Sequence, residues 1–127
     1  MASGAINTNI VKLWDNATPT PTGQTTLNLD LSKYKFIRIY FRTLESELTI
    51  GSDGFVSADV EVNGKSVLAI SYGNIDTAYY AHMYVRWVSA TTSSVTWSVA
   101  YDKSLNSSTA GGAINNALIP YTIYGIV

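Results

Sequence analysis

Apolar and polar positions alternate with a period of two along most of this chain. The alternating runs are rich in Val, Ile, Thr, Tyr and Trp and are separated by turn-forming clusters. Helical periodicity is weak throughout. A period of two sends successive side chains to opposite faces of a sheet, so the pattern predicts an all-β chain of about eight strands. The expected strands are Asn9 to Trp14, Thr25 to Leu31, Lys35 to Thr43, Phe55 to Val62, Lys65 to Tyr72, Tyr79 to Ser89, Val95 to Asp102 and Leu118 to Val127. With no crossover helices between them, the expected architecture is an antiparallel β-sandwich or jelly roll, one domain over residues 1–127.

The alternation also assigns faces. Leu27, Leu29 and Leu31 oppose Thr26, Asn28 and Asp30, a core side and a wet side. Ile37, Ile39 and Phe41 oppose Phe36, Arg38, Tyr40 and Arg42, an amphipathic face that needs a cover. Val56, Ala58, Val60 and Val62 oppose Ser57, Asp59 and Glu61. Asn63-Gly64 is the strongest short-range hairpin signal in the chain and predicts a two-residue type I′ turn. Pro120 in the last strand removes a ladder donor and predicts an edge position or a bulge. Trp14, Trp87 and Trp97 all fall on apolar faces and are expected in the core.

Composition narrows the partners. Charged residues make up only 13% of the chain, about half the usual share, while fourteen serines, fourteen threonines and nine asparagines supply uncharged hydrogen-bonding groups. Such a surface favours neutral partners, sugars included. A net charge of -1 offers no footprint for nucleic acid. Cysteine is absent, which excludes disulfides, thiolate metal sites and thiol nucleophiles. No apolar run reaches the roughly 18 residues of a membrane span, and residues 1–9 lack a signal-peptide layout, so neither membrane insertion nor Sec export is expected.

The candidate chemistry is that of binding. His82 is the single histidine, and no G-x-S-x-G elbow accompanies it. Asp59 and Glu61 share a strand face next to a turn, an ordinary solvated arrangement rather than a glycosidase pair. No metal motif and no cofactor motif occurs, although a calcium ion held by loop carbonyls is compatible with the sequence. The expectation is a protein that is not an enzyme.

Nine tyrosines and three tryptophans supply amphipathic rings. Tyr80, His82, Tyr84 and Arg86 alternate on one strand face, roughly 7 Å apart. That row could be a glycan platform, a subunit interface or the packing surface of the second sheet. Arg38 and Arg42 beside Phe36 and Tyr40 have the composition of an interface as well. The Ser/Asn/Gly-rich stretch from Ser104 to Asn116 is expected to be a loop that could touch a ligand.

Lys12-Leu13-Trp14-Asp15-Asn16 and Leu27-Asn28-Leu29-Asp30-Leu31-Ser32-Lys33-Tyr34-Lys35-Phe36-Ile37 together resemble the pattern LW-x-N-P … L-x-L-D-L-S-x-Y-x-x-I of small domains in tailed-bacteriophage structural proteins. Ile119-Pro120-Tyr121-Thr122-Ile123-Tyr124-Gly125-Ile126 resembles the I-P-x-x-I-Y-G-I close of the same group. These proteins include minor structural proteins, head fibres and receptor-binding parts of tail fibres and baseplates. Ala17 stands where the pattern has proline, so the shape of the first loop is not carried over. The resemblance covers both ends of the chain, about a third of its length, and carries no catalytic residues. It implies a virion component, a homo-oligomer with a trimer favoured, contacting a bacterial cell-surface glycan or cell-wall polymer or other virion proteins. The alternatives are a purely architectural assembly or decoration protein and a small carbohydrate-active enzyme.

Overall fold

The structure, a computed structural model, describes residues 10–18, 20, 22–42, 55–73, 82–104 and 117–127. The fold is all-β, with nine strands among these residues: β1 (Ile10–Asp15), β2 (Thr25–Asn28), β3 (Phe36–Arg42), β4 (Phe55–Glu61), β5 (Val67–Gly73), β6 (His82–Ala90), β7 (Ser94–Trp97), β8 (Tyr101–Ser104) and β9 (Ile119–Ile126). They form two antiparallel sheets. The first has the order β1-β9-β3-β4; the second has the order β2-β7-β6-β5, with β8 also paired to β6.

The alternation read from the sequence decides which residues meet between the sheets. Ile37, Ile39 and Phe41 of β3 are fully buried, as are Val60 of β4 and Ile123 of β9. From the second sheet, Tyr84 and Val88 of β6 and Val95 of β7 join them in one core cluster. Each aliphatic or aromatic side chain buried in this way contributes about 1.5–3 kcal/mol from loss of apolar surface to water.

Two sequence expectations are corrected. The segment Val95 to Asp102 is two strands, because β7 ends at Trp97 and the chain resumes pairing with β6 only at Tyr101. Between them the Ser98 N–H still donates to the Trp87 carbonyl at 2.9 Å, but the returning Trp87 N–H goes to the Ser98 hydroxyl at 3.0 Å, which donates to the Val99 carbonyl at 2.7 Å. The interruption also shifts the phase, so that Ala100 is buried and Tyr101 is exposed.

Asn63-Gly64 does not join two paired strands. β4 pairs with β3 and β5 pairs with β6, so this turn carries the chain from one sheet to the other. A type I′ turn needs positive φ at both central residues, and only Asn63 has it, at 63°. The corner is fixed by the Val62 N–H donating to the Lys35 carbonyl, the Asn63 N–H to the Ala90 carbonyl and the Gly64 N–H to the Glu61 carbonyl. Asn tolerates the left-handed region and alanine does not. Asn63→Ala is therefore expected to cost about 1 kcal/mol in denaturant unfolding, with Asn63→Gly nearly neutral. Equal costs for the two variants would show that φ is not what Asn63 supplies.

Of the two positions expected for Pro120, an edge or a bulge, the fold uses the bulge. β9 is a central strand, and its register against β3 shifts between Tyr40 and Phe41, which pair with Thr122 and Pro120. The missing proline donor thus falls where the ladder is already interrupted. Asn16 holds this bulge from the β1 side, its backbone N–H donating to the Tyr121 carbonyl at 2.7 Å.

Candidate functional site

Of the row Tyr80, His82, Tyr84, Arg86, the two side chains among the described residues, Tyr84 and Arg86, are not on the surface. Tyr84 and Arg86 are fully buried, facing the core with Val88 and Ala90. Tyr80 lies outside the described residues, as does the stretch 105–116. For His82 the structure describes only the backbone, paired with Gly73 and Ser104 at the start of β6. Of the three uses the sequence left open for the row, sheet packing is the one Tyr84 and Arg86 take.

Arg86 can be buried because backbone carbonyls from three separate segments surround it. Nη1 donates to the Ser98 carbonyl at 2.7 Å and to that of Gly23 at 3.4 Å, and Nη2 to those of Thr22 at 3.1 Å and Ala117 at 3.0 Å. Burial pulls its pKa down to about 10, which leaves the guanidinium charged at neutral pH. The group fastens the approach to β2, the β7–β8 break and the approach to β9 at one point. Leu118, directly after Ala117, has a φ of 51°, strained for a branched side chain.

With these residues turned inward, the other face of β6 is the outer one. Trp87, expected in the core, is 50% exposed there. The apolarity of Met83, Val85 and Trp87 outweighs Tyr84 and Arg86 over a short window. Three more residues reverse the balance, since Val88 and Ala90 share the Tyr84 side and Ser89 shares the Trp87 side.

Outward rows on the first sheet follow from strand register. Ile10, Ile126 and Phe36 lie side by side on β1, β9 and β3, an apolar row in which Ile10 and Phe36 are 50% and 41% exposed. Lys12, Tyr124, Arg38 and Asp59 form the next row across all four strands. Beyond it Tyr40 packs against Tyr124, edge to face at 5.8 Å, and against Tyr121, tilted at 6.1 Å. The three rings share a face because the bulge at Pro120 changes the phase of β9. Pro120 was the sequence signal for this cluster.

The electrostatics of this face are local. Arg38 donates from Nε and Nη2 to the two oxygens of Asp59, at 2.8 and 3.1 Å. This bidentate bond lowers the Asp59 pKa below its usual 3.8 and raises that of Arg38. Asp30 is lowered too, by the Ser32 hydroxyl first and the Ser32 N–H second. Since both carboxylates bind protons less readily in the fold, the stabilisation they give is complete above about pH 4 and is lost as pH falls through their folded values. Tyr121 is raised, chiefly by burial and then by its neighbours Tyr40 and Tyr124. Among the described residues, no three His, Asp or Glu side chains converge as metal ligands.

No family model, curated protein or solved structure matches the chain. The three segments that resemble phage structural proteins nevertheless meet in space. Trp14 pairs with Ile123, the Lys35 N–H donates to the Ile126 carbonyl, and the Tyr34 ring lies over Gly125. Asp30 closes the turn between them by accepting from Ser32. Most of these motif residues are structural parts of the β1-β9-β3 layer, while Leu27 and Asn28 lie on β2 of the other sheet.

Proposed function

We propose that this chain is a non-catalytic structural module of a phage virion that attaches to a bacterial surface glycan as a homo-oligomer, a trimer being favoured. The observation that carries this reading is the outer face of the first sheet. Phe36, Tyr40, Tyr121 and Tyr124 with Arg38 and Arg42 give it the aromatic and arginine content of a protein–protein interface core, with an apolar row at one end. An oligomer joined through that face would present several copies of the second sheet together, and linking weak sites in this way raises avidity by about 10² to 10⁴.

The same face supports a second reading, an architectural protein that binds only other virion proteins. That protein would co-assemble with a capsid or baseplate component and bind no cell-wall material.

Light scattering over a range of concentrations tests the assembly. The expected mass is three times 13.8 kDa, and Phe36→Lys, which sets a charge in the apolar row, is expected to release monomers without loss of fold. A wild-type protein that stays monomeric at every concentration would sink the self-assembled reading.

A further inference from the structure

On the outer face of the second sheet, Trp87 stands half exposed beside a groove of about 220 Å³. The side chains lining it with Trp87 include Gln24, Ser66, Ser89, Thr96 and Ser98, and none of its lining residues is charged. We infer that this groove is a binding site for a neutral pyranose unit of a glycan, an inference that rests on the attachment reading and gives it a location.

The chemistry follows from what a sugar ring presents. One side of a pyranose is a patch of C–H groups, which an indole face covers without losing hydrogen bonds. Its rim carries hydroxyls that each donate and accept. The groove offers both kinds of partner. The Thr26 and Thr96 hydroxyls bond each other at 3.1 Å, which leaves the pair one donor and three acceptor positions. Ser98, accepting from Trp87 and donating to Val99, keeps one acceptor position. Gln24 adds an amide with both functions.

These groups are set on rigid elements. Ser89 of β6 pairs with Thr96 of β7, and Thr96 pairs with Thr26 of β2, so a hydroxyl row crosses three adjacent strands. Trp87 lies two residues before Ser89 on the same side. Tyr101, also exposed, pairs with Val85 and so shares this face, diagonal to Trp87 at a spacing on the order of 7–8 Å. A chain of sugar units crossing the sheet would meet the indole first and the phenol next.

The lining argues against other occupants. A phosphate or carboxylate ligand is held most strongly by a cationic side chain, and the lining has none. A proline-rich segment is held mainly by apolar contact between aromatic ridges, whereas here five hydroxyl or amide side chains surround one ring.

The experiment is binding of the whole protein to an array of bacterial polysaccharides, neutral and anionic, with immobilised maltohexaose, cellohexaose, chitohexaose and a decaproline peptide beside them. The expected result is binding to at least one neutral glycan, a loss of tenfold or more in Trp87→Ala, and partial retention in Trp87→Phe, with melting temperatures within about 3 °C of wild type. Neutral-glycan binding that Trp87→Ala leaves intact overturns this site and leaves the attachment reading standing. Binding of anionic glycans or decaproline alone overturns the ligand class. If the wild type binds nothing on the array, the site and the attachment reading fall together.

Discussion

Arg86→Ala is expected to unfold at a temperature more than about 10 °C below wild type. The side chain is fully buried and donates to four carbonyls, those of Thr22, Gly23, Ser98 and Ala117. Alanine removes every donor and leaves a void where the guanidinium stood. The Gly23 carbonyl keeps the Thr25 hydroxyl at 3.2 Å, while those of Thr22, Ser98 and Ala117 each lose a donor, at about 1–3 kcal/mol for a buried group, so a loss of about 4 kcal/mol follows even with partial relaxation or water entry. For a chain of this length that is a large share of a total stability of about 5–15 kcal/mol. Arg86→Lys should fall between the two, since an ammonium is a single point charge and cannot fork to carbonyls on three segments. Calorimetry on the three proteins decides the matter. A melting temperature for Arg86→Ala within a few degrees of wild type would mean that the three segments are held together by something else.

The second large effect is at Gly125. A Cβ built there would lie 2.6 Å from the Tyr34 ring, a distance no relaxed structure tolerates. The backbone φ at this position is not the reason for glycine, because no glycine of the described residues has a positive φ. The reason is the ring. Gly125→Val is expected to cost about 3 kcal/mol by forcing Tyr34 off the β9 strand, at the upper end of overpacking penalties. Tyr34→Ala loses the contact by itself, but in the double variant the clash is gone, so the two costs should not add. Strict additivity in denaturant unfolding would rule out the contact as the cause.

Much of the fold was legible in the alternation. The inward sides of β2, β3 and β4 and the all-β class need nothing beyond period two. What escaped depends on information that alternation lacks. Asn63-Gly64 has hairpin chemistry, yet whether the strands around a turn pair with each other is set by the sheets they join, and here the turn crosses between sheets. On β6 both faces are apolar enough to be inside. Arg86 looks like a surface residue until the four carbonyls that accept from its Nη atoms come from segments far apart in sequence, which no local pattern reports. That single inversion buried half of the candidate row and turned Trp87 outward. The tyrosine face was half visible. Tyr40 and Arg38 read as an amphipathic side, while Tyr121 and Tyr124 join them only through the bulge that Pro120 marks.

The position of β9 has a kinetic meaning. It lies between β1 and β3, so the first sheet cannot close until residues 119–126 reach two partners separated from them by most of the chain. Contacts so distant in sequence make the search for the native pairing slow, in the range of milliseconds to seconds for all-β domains. Until β9 arrives, β1 has no neighbour and β3 has one open side, two unpaired borders on which another unfinished chain could pair. Correct assembly of such a protein would depend on intramolecular closure outrunning the encounter of two unfinished chains.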